Sequence, residues 1–491
     1  MNNQLRVSSA ARDAGSSLAL VAGEQRLTYS ELNREVQVLA NQISQLCSNE
    51  SQPVAFVAHA KVESLLLCYA LLEMGRPALP LNPRLLPTDH ETLIEQAGAV
   101  ELSFDSDGLR VTRQAGFTGN QLTVLIPAAL VATSGSTGRA KLVRLSSQAL
   151  VAAAEASAER LLWMKDDAWL LSLSLCHVGG LSIATRCLLA RVPVVMGDPR
   201  GGPAELVRLV HRYNVTMISL VSTQLHRLLA GNESLDGSKL RVLLLGGMHA
   251  DPWLVGAART NGIPVLTTYG MTETASQVAT QQLCDLRSLI GPCHDVGPPL
   301  SRVELKLVGD EIVVRGPMLF DGYVGEASAW EAQMAPESVS GPINVDPKIR
   351  DGWFHTGDWG RLDQRGRLTV IGRSADRIVT SGENVAPAEV ERVLETLPAI
   401  ERACVFGIPD PIRGELVAAA LIIREGYALD PADFEYEISR RLASFKRPRT
   451  LAIVPEFMVT ATGKLDRPAT AQMACSQLQS VSPPNATQGG R

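Results

Sequence analysis

Between Pro53 and Tyr269 short apolar runs alternate with segments of helical period. PVAFVAH leads to VESLLLCYALLEMG, PALPLN to a helix around DHETLIEQAGA, ELVRLVHRYN to VTMISLV, and LRVLLLGG later to IPVLTTYG. A continuous apolar run suits a strand covered on both faces, and a helix between two such runs carries the chain back to begin the next strand in the same direction. The alternation predicts α/β architecture with largely parallel strands. The later runs end in Gly, Thr or Ser, and open α/β sheets place their ligands at the carboxyl ends of strands.

The texture changes after Pro298. VELKLVG, EIVVRGP and GRLTVIG are shorter strand patterns that suggest a small antiparallel, barrel-like region, and the polar stretch between Val324 and Pro347 reads as an exposed loop. From about Ser374, helix patterns (APAEVERVLETL, PADFEYEISRRLASF) mix with strand patterns (RACVFGI, LVAAALII), as in a small α+β domain. The expected organisation is a large N-terminal domain over 1–373, built of mixed, mainly parallel sheets with helices plus the antiparallel region. A C-terminal domain over 374–475 follows, then a tail over 476–491, whose SVSPPNATQGGR has no hydrophobic period and is expected to be disordered.

Bulk properties narrow the function classes. A chain of 491 residues has room for about two or three domains and a large core. Hydrophobic and charged fractions of 45% and 20% are ordinary for a soluble globular protein, and a formal charge of -5 offers no footprint for nucleic acid. The 8 cysteines form no C-x-x-C pair, which suits a reducing compartment. MNNQLRVSSAARDAGSS lacks the form of a secretory signal, and SLLLCYALLEM (Ser64 to Met74) is about half the ~20 residues of a membrane span. A cytoplasmic location is expected, with the sequons at Asn214, Asn232 and Asn485 as chance matches.

TSGSTGRAK (Thr133 to Lys141) follows an apolar strand pattern, TVLIPAALVA. Glycines let backbone amides turn inward around an anion, hydroxyls add donors and Lys141 adds charge, so composition and placement favour a phosphate cradle over a plain surface turn. It is not the common nucleotide P-loop, because Ala140 and Leu142 flank the lysine. TTYGMTET (Thr267 to Thr274) offers an aromatic that can stack on a base, hydroxyls for phosphate and Glu273 as a hard oxygen ligand; alone it could also be a helix start capped by Thr272. DGWFHTGDWG places Asp358 in what reads as a turn, where a carboxylate can hold a ribose diol or serve the turn itself. GRSADRIVTSGENVAPAEVE puts Arg373 at a strand end, and TATGKLDR puts Lys464 in an exposed turn.

In this order and spacing these stretches resemble the adenylate-forming superfamily of acyl-CoA synthetases, adenylation domains and luciferases, from about Leu27 to Arg467. The resemblance implies an ATP-dependent enzyme with Mg2+ that joins a small carboxylic acid to a thiol through an acyl-adenylate. It implies that Thr133, Ser134, Gly135, Ser136, Thr137, Gly138 and Lys141 cradle the leaving phosphates, and that Thr272 and Glu273 address phosphate and Mg2+. Tyr269 and Gly270 with Gly246 and Gly247 would frame adenine, and Asp358 and Arg373 would hold ribose. Lys464 would bridge the substrate carboxylate and the α-phosphate during adenylation. The small domain is then mobile: Lys464 serves the first half-reaction and the face carrying SGEN the second. Ala375 departs from the Asp or Lys common at the hinge.

SLSLCHVGGLSIATR (Ser172 to Arg186) resembles the acyl-pocket motif, with His177 at the pocket wall. HVGGLSI, Arg186 and YGMTETASQVAT look most like o-succinylbenzoate-CoA ligases of menaquinone or phylloquinone synthesis. That substrate carries a second carboxylate, for which Arg186 is the natural partner; the bland alternative is a surface helix arginine in an ion pair. Cys176 beside His177 is not read as a nucleophile. FKRP (Phe445 to Pro448) resembles the CoA-forming members, so CoA is the expected acceptor. A ligase for another aryl or medium-chain acid, or a stand-alone adenylation enzyme, stays open, as does a homo-oligomeric state.

Overall fold

The apolar runs become strands whose faces are both covered: Ala78–Leu81, Met217–Leu220 and Val242–Leu245 are buried at every residue. The computed structural model describes residues 3–106, 108–117, 126–133, 140–197, 201–231, 233–247, 252–287, 294–325, 348–373, 376–380, 383–410, 413–460 and 465–481. The chain divides into one unit of Met1–Leu307, Val313–Thr356 and Leu362–Thr369 and a second of Val308–Ile312, Gly357–Arg361 and Val370–Arg491.

An 8-stranded sheet runs in the order Ser276–Thr280, Val265–Met271, Val242–Leu245, Met217–Leu220, Trp169–Leu170, Val194–Met196, Leu18–Ala22, Gln25–Thr28. Its inner pairs are parallel and its two edge pairs antiparallel. A 6-stranded sheet is built the same way, with Val100–Asp105, Val54–Val57, Ala78–Leu81 and Ala129–Thr133 parallel and Gly108–Gln114 and Lys141–Leu145 as antiparallel edges. The helix Val62–Met74 is apolar on nearly every side because it lies in the core, and it stops at Gly75, which takes the left-handed φ of 71° that glycine adopts without strain. Among the described residues no helix is long and apolar enough to cross a membrane. A curled antiparallel sheet of 5 short strands holds Glu304–Val308, Glu311–Arg315, Trp353–Leu362 and Ile349–Arg350, with Leu368–Arg373 on Trp353–Leu362.

The second unit has its own 6-stranded sheet, centred on Gly414–Ile423. Successive residues of that strand face opposite cores: Ala419 and Leu421 pack with Val390, Leu394, Phe434 and Ile438, while Ala418 and Ala420 pack with Phe406, Phe457 and Ala474. Helices cover both faces, which is why LVAAALII shows no polar alternation.

Three expectations need correction or trimming. The strand before the Ser/Thr/Gly loop begins only at Ala129, because Pro127 has no N–H for a ladder and Ile126 is exposed. Residues 476–481, assigned to a disordered tail, instead extend the second unit: Gln479–Ser480 pairs with Thr450–Ile453, and Val481 is buried. A strand this short carries no readable period. Residues 482–491 and the polar segment 326–347 lie outside the described residues.

At the amino ends of three neighbouring parallel strands, buried Asp167 binds Arg241 through both oxygens (Nε to Oδ1 2.8 Å) and accepts from Thr216 Oγ1 and Met164 N, each at 2.7 Å. Burial pushes the Asp167 carboxyl up, but these donors outweigh it and hold it below its ordinary value. The stability it contributes is therefore present above about pH 4 and lost as the pH falls through its depressed native value. Asp167→Ala, which strands the Arg241 charge, should cost about 3 kcal/mol or more, read as a lowered urea midpoint at pH 7.

Candidate active site

The carboxyl edge of the large sheet collects the glycines and hydroxyls that the sequence placed after its strands. Val242–Leu245 runs into Gly246 and Gly247, the latter at φ 81°. Val265–Met271 carries Tyr269, buried, and Gly270, where a Cβ would meet the Ser276 carbonyl oxygen at 1.6 Å. The chain then makes a tight turn, Thr272–Thr274, followed by Ala275 and Ser276 at φ 48° and 109°. Two non-glycine residues in left-handed backbone mark a conformation held by its surroundings. The side chain that binds the Met271 N–H is Thr274, at 3.1 Å, so Thr272 is the first residue of the turn and not its cap. Glu273 is half-buried.

Thr133 and Lys141 are the facing ends of a hairpin, paired in register, with Thr133 Oγ1 donating to the Lys141 carbonyl at 3.4 Å. Ser134, Gly135, Ser136, Thr137 and Gly138, between them, lie outside the described residues. Segment 320–324 is stitched to this hairpin by Arg144 N to Gly322 O and Val324 N to Leu142 O, each 2.9 Å, and to the turn by Phe320 N to Glu273 O, also 2.9 Å. It delivers Tyr323, whose hydroxyl donates to Glu273 Oε1 at 2.8 Å and whose ring centroid lies 4.5 Å from Lys141 Nζ. Lys141 and Glu273 thus meet at a residue that sequence reading passed over. A tyrosine in FDGYV looks like core, and no local pattern marks its two charged partners.

His177 stands at the N-cap of the helix Val178–Ala190. A Cβ on Gly180 would meet the Ser174 carbonyl oxygen at 2.1 Å, so only glycine lets the SLSL segment close on the helix start. The Cys176 thiol is buried 3.1 Å from Ser174 Oγ, and burial pushes its pKa up, the wrong direction for a nucleophile. Arg186 is 2% exposed and so is no surface arginine. Its Nη2 donates to Ser276 Oγ at 3.2 Å, its guanidinium lies 5.5 Å from the Trp169 ring centroid, and its Nε has no hydrogen-bond partner. No carboxylate pairs with it among the described residues. Burial pushes its pKa down to about 9, partly opposed by Cys187, so it remains charged at neutral pH.

In the second unit Asp358 is 5% exposed and lies within the strand Trp353–Leu362, not in a turn. Gly357, at φ 75°, gives the sequence its turn-like look while its N–H bonds Glu311 Oε1 at 3.1 Å. Arg373 ends the strand Leu368–Arg373 and its Nε lies 3.2 Å from Asp358 Oδ1. Arg467 is anchored to Glu391 and to the Val405 carbonyl, with Asp376 at 3.9 Å. Lys464, Ala375, Ser381 and Gly382 lie outside the described residues.

The glycine turn and the acidic turn at the edge of the large sheet, and the lysine hairpin at the edge of the 6-stranded sheet, precede a separate α+β unit in the chain. The chain belongs to the AMP-binding enzymes, matching that family over residues 7–116 and 126–324 and its C-terminal domain over 389–464. It is 33% identical over 477 residues to a 2-succinylbenzoate-CoA ligase of Geobacillus kaustophilus, covering 92% of this chain and 94% of that one. A ligase of the same name from Listeria monocytogenes is 30% identical over 91% of this chain and 95% of its own. Among solved structures, the o-succinylbenzoate CoA synthetase of Bacillus subtilis with its acyl-adenylate intermediate superposes with a TM-score of 0.81 at 27% identity, covering 95% and 97% of the two chains. The same enzyme with ATP and a magnesium ion gives 0.80 at 27% identity over 96% and 99%.

A buried cation with no anionic partner among the described residues weighs on the fold. Arg186→Met, similar in length and apolar, should raise the unfolding free energy of the ligand-free protein by about 1 kcal/mol or more, read as a higher melting temperature.

Proposed function

We propose that this chain is an AMP-forming acid-thiol ligase that converts o-succinylbenzoate, ATP and CoA to o-succinylbenzoyl-CoA, AMP and pyrophosphate in menaquinone or phylloquinone biosynthesis. The observation that carries the choice of acid is Arg186: a guanidinium sealed in an apolar helix, held by a hydroxyl and a ring and, among the described residues, by no carboxylate. Such a charge is costly unless a ligand brings the anion, and the aromatic carboxylate of o-succinylbenzoate is one. The relatives' shared name supports the same acid.

A carboxylate is a poor electrophile, so the aliphatic carboxylate first attacks the α-phosphorus of ATP and pyrophosphate leaves with its electron pair. The CoA thiol, losing its proton, then displaces AMP from the acyl carbon. Thr133, Ser134, Gly135, Ser136, Thr137, Gly138, Lys141 and Thr272 would hold the phosphates, Tyr269 and Gly270 with Gly246 and Gly247 the adenine, and Asp358 with Arg373 the ribose. The Glu273 carboxylate, half-buried and oriented by the Tyr323 hydroxyl, suits Mg2+, a hard cation that usually takes one or two carboxylates and completes its shell with phosphates and water. Bound there, Mg2+ would neutralise charge on the leaving phosphates. His177 would line the acid site. Lys464 would stabilise charge on the α-phosphate during adenylation, and the C-terminal domain, from 374 onward, would swing to present its SGEN face for thioester formation. A cytoplasmic location fits these soluble substrates. A second reading, a ligase for another aryl or medium-chain acid, would leave Arg186 without an anion.

Pyrophosphate release with MgATP should be selective for o-succinylbenzoate over benzoate and octanoate and should depend on CoA; equal turnover of a monocarboxylate would discard the acid and keep the chemistry. Arg186→Ala should raise KM for o-succinylbenzoate by about tenfold or more, the weight of a lost charged hydrogen bond. Lys464→Ala should abolish adenylation yet spare thioester formation from supplied acyl-adenylate, and equal loss of both half-reactions would refute its assignment.

A further inference from the structure

We infer that Tyr323 is a positioning residue for the nucleotide phosphates and their metal ion: its hydroxyl orients the Glu273 carboxylate and its ring seats the Lys141 ammonium. The inference rests on the reading of Glu273 as the Mg2+ carboxylate and of Lys141 as a phosphate lysine. Lys141 opens the strand Lys141–Leu145 and Glu273 sits in the turn Thr272–Thr274, so nothing local relates them. Segment 320–324 is hydrogen-bonded to that strand and to that turn, through the backbone bonds that join it to Leu142, Arg144 and Glu273.

Tyr323 is 3% exposed, and its ring is wedged edge-on against Phe320 at 5.1 Å, which in turn meets Phe354 at 5.2 Å. The phenol is therefore held in place before any ligand arrives. Its hydroxyl donates to Glu273 Oε1 at 2.8 Å, which restrains rotation of the carboxylate and directs Oε2 as the oxygen for a cation. A carboxylate already restrained loses less freedom when it binds metal. A phenol that donates to an anion also gains electron density in its ring, which strengthens the attraction for the ammonium 4.5 Å from its centroid. One side chain thus couples the aim of a metal ligand to the seat of a phosphate-binding cation.

The test uses the full-length protein and Mn2+ as a stand-in for Mg2+, with binding read by electron paramagnetic resonance in the presence of α,β-methylene-ATP, and nucleotide binding read separately without metal. Tyr323→Phe keeps the ring and removes the hydroxyl: Mn2+ affinity should fall about tenfold, the lower end of what outer partners of a metal ligand contribute, with metal-free nucleotide binding weakened far less. Tyr323→Leu should lose metal-free nucleotide affinity as well, because Lys141 loses its ring. Glu273→Gln is the control. Weakened Mn2+ binding in Glu273→Gln with none in Tyr323→Phe would overturn the positioning role while the metal reading stands; no weakening in either would overturn both. A Tyr323→Phe effect confined to the melting temperature, or a Tyr323→Leu variant that binds metal-free nucleotide as tightly as Tyr323→Phe, would also count against it.

Discussion

Everything at the large sheet depends on the parallel ladder. Leu245 pairs with Leu220 on one side and with Thr267 on the other, so the residues that follow these three positions emerge at one edge, where Val265–Met271 alone of the three strands runs on to Met271. Gly246, Gly247, Tyr269 and Gly270 share that edge because hydrogen-bond register leaves them no alternative. The opposite edge carries the Asp167, Thr216 and Arg241 cluster, which ties the strand starts together. One end of the sheet is closed by buried charge, and the other carries the glycines and hydroxyls proposed to meet the nucleotide.

Three arginines separate the two tasks. The partly buried Arg241 and Arg467 each meet a carboxylate, Asp167 and Glu391, and their partial desolvation is offset by charge-assisted hydrogen bonds. Among the described residues Arg186 meets Ser276 and the Trp169 ring and no carboxylate, and its pKa is pushed down where that of Arg467 is pushed up. A fold that needed only stability would gain by an apolar residue at Arg186. Keeping a charge there makes sense when a ligand completes the pair, and Ser276, held at a left-handed φ of 109°, is part of the same arrangement.

Legibility in the sequence followed the range of the interaction. Arg186 stood out because it interrupts an apolar helix pattern, and the strands Val54–Val57, Ala78–Leu81, Met217–Leu220, Val242–Leu245 and Val265–Met271 stood out by their apolar runs. Asp358 was legible as a motif, but a Gly-Asp pair has the composition of a turn, and only the backbone shows a strand passing through it. Tyr323 gave no signal at all, since its significance lies in partners supplied by two distant segments. The short strand Gln479–Ser480 was invisible because it exists only through its pairing with Thr450–Ile453.

The sequence by itself determined the α/β class, the separate α+β unit and the residue types at the strand ends, because periodicity and turn chemistry are properties of neighbours along the chain. Tertiary structure alone decided that Lys141 and Glu273 share a tyrosine, that Arg186 is sealed from every described carboxylate, and that residues up to Val481 belong to the second sheet. These outcomes depend on which distant backbones pair and which side chains lose water together. Non-local register and desolvation are not encoded in any local window.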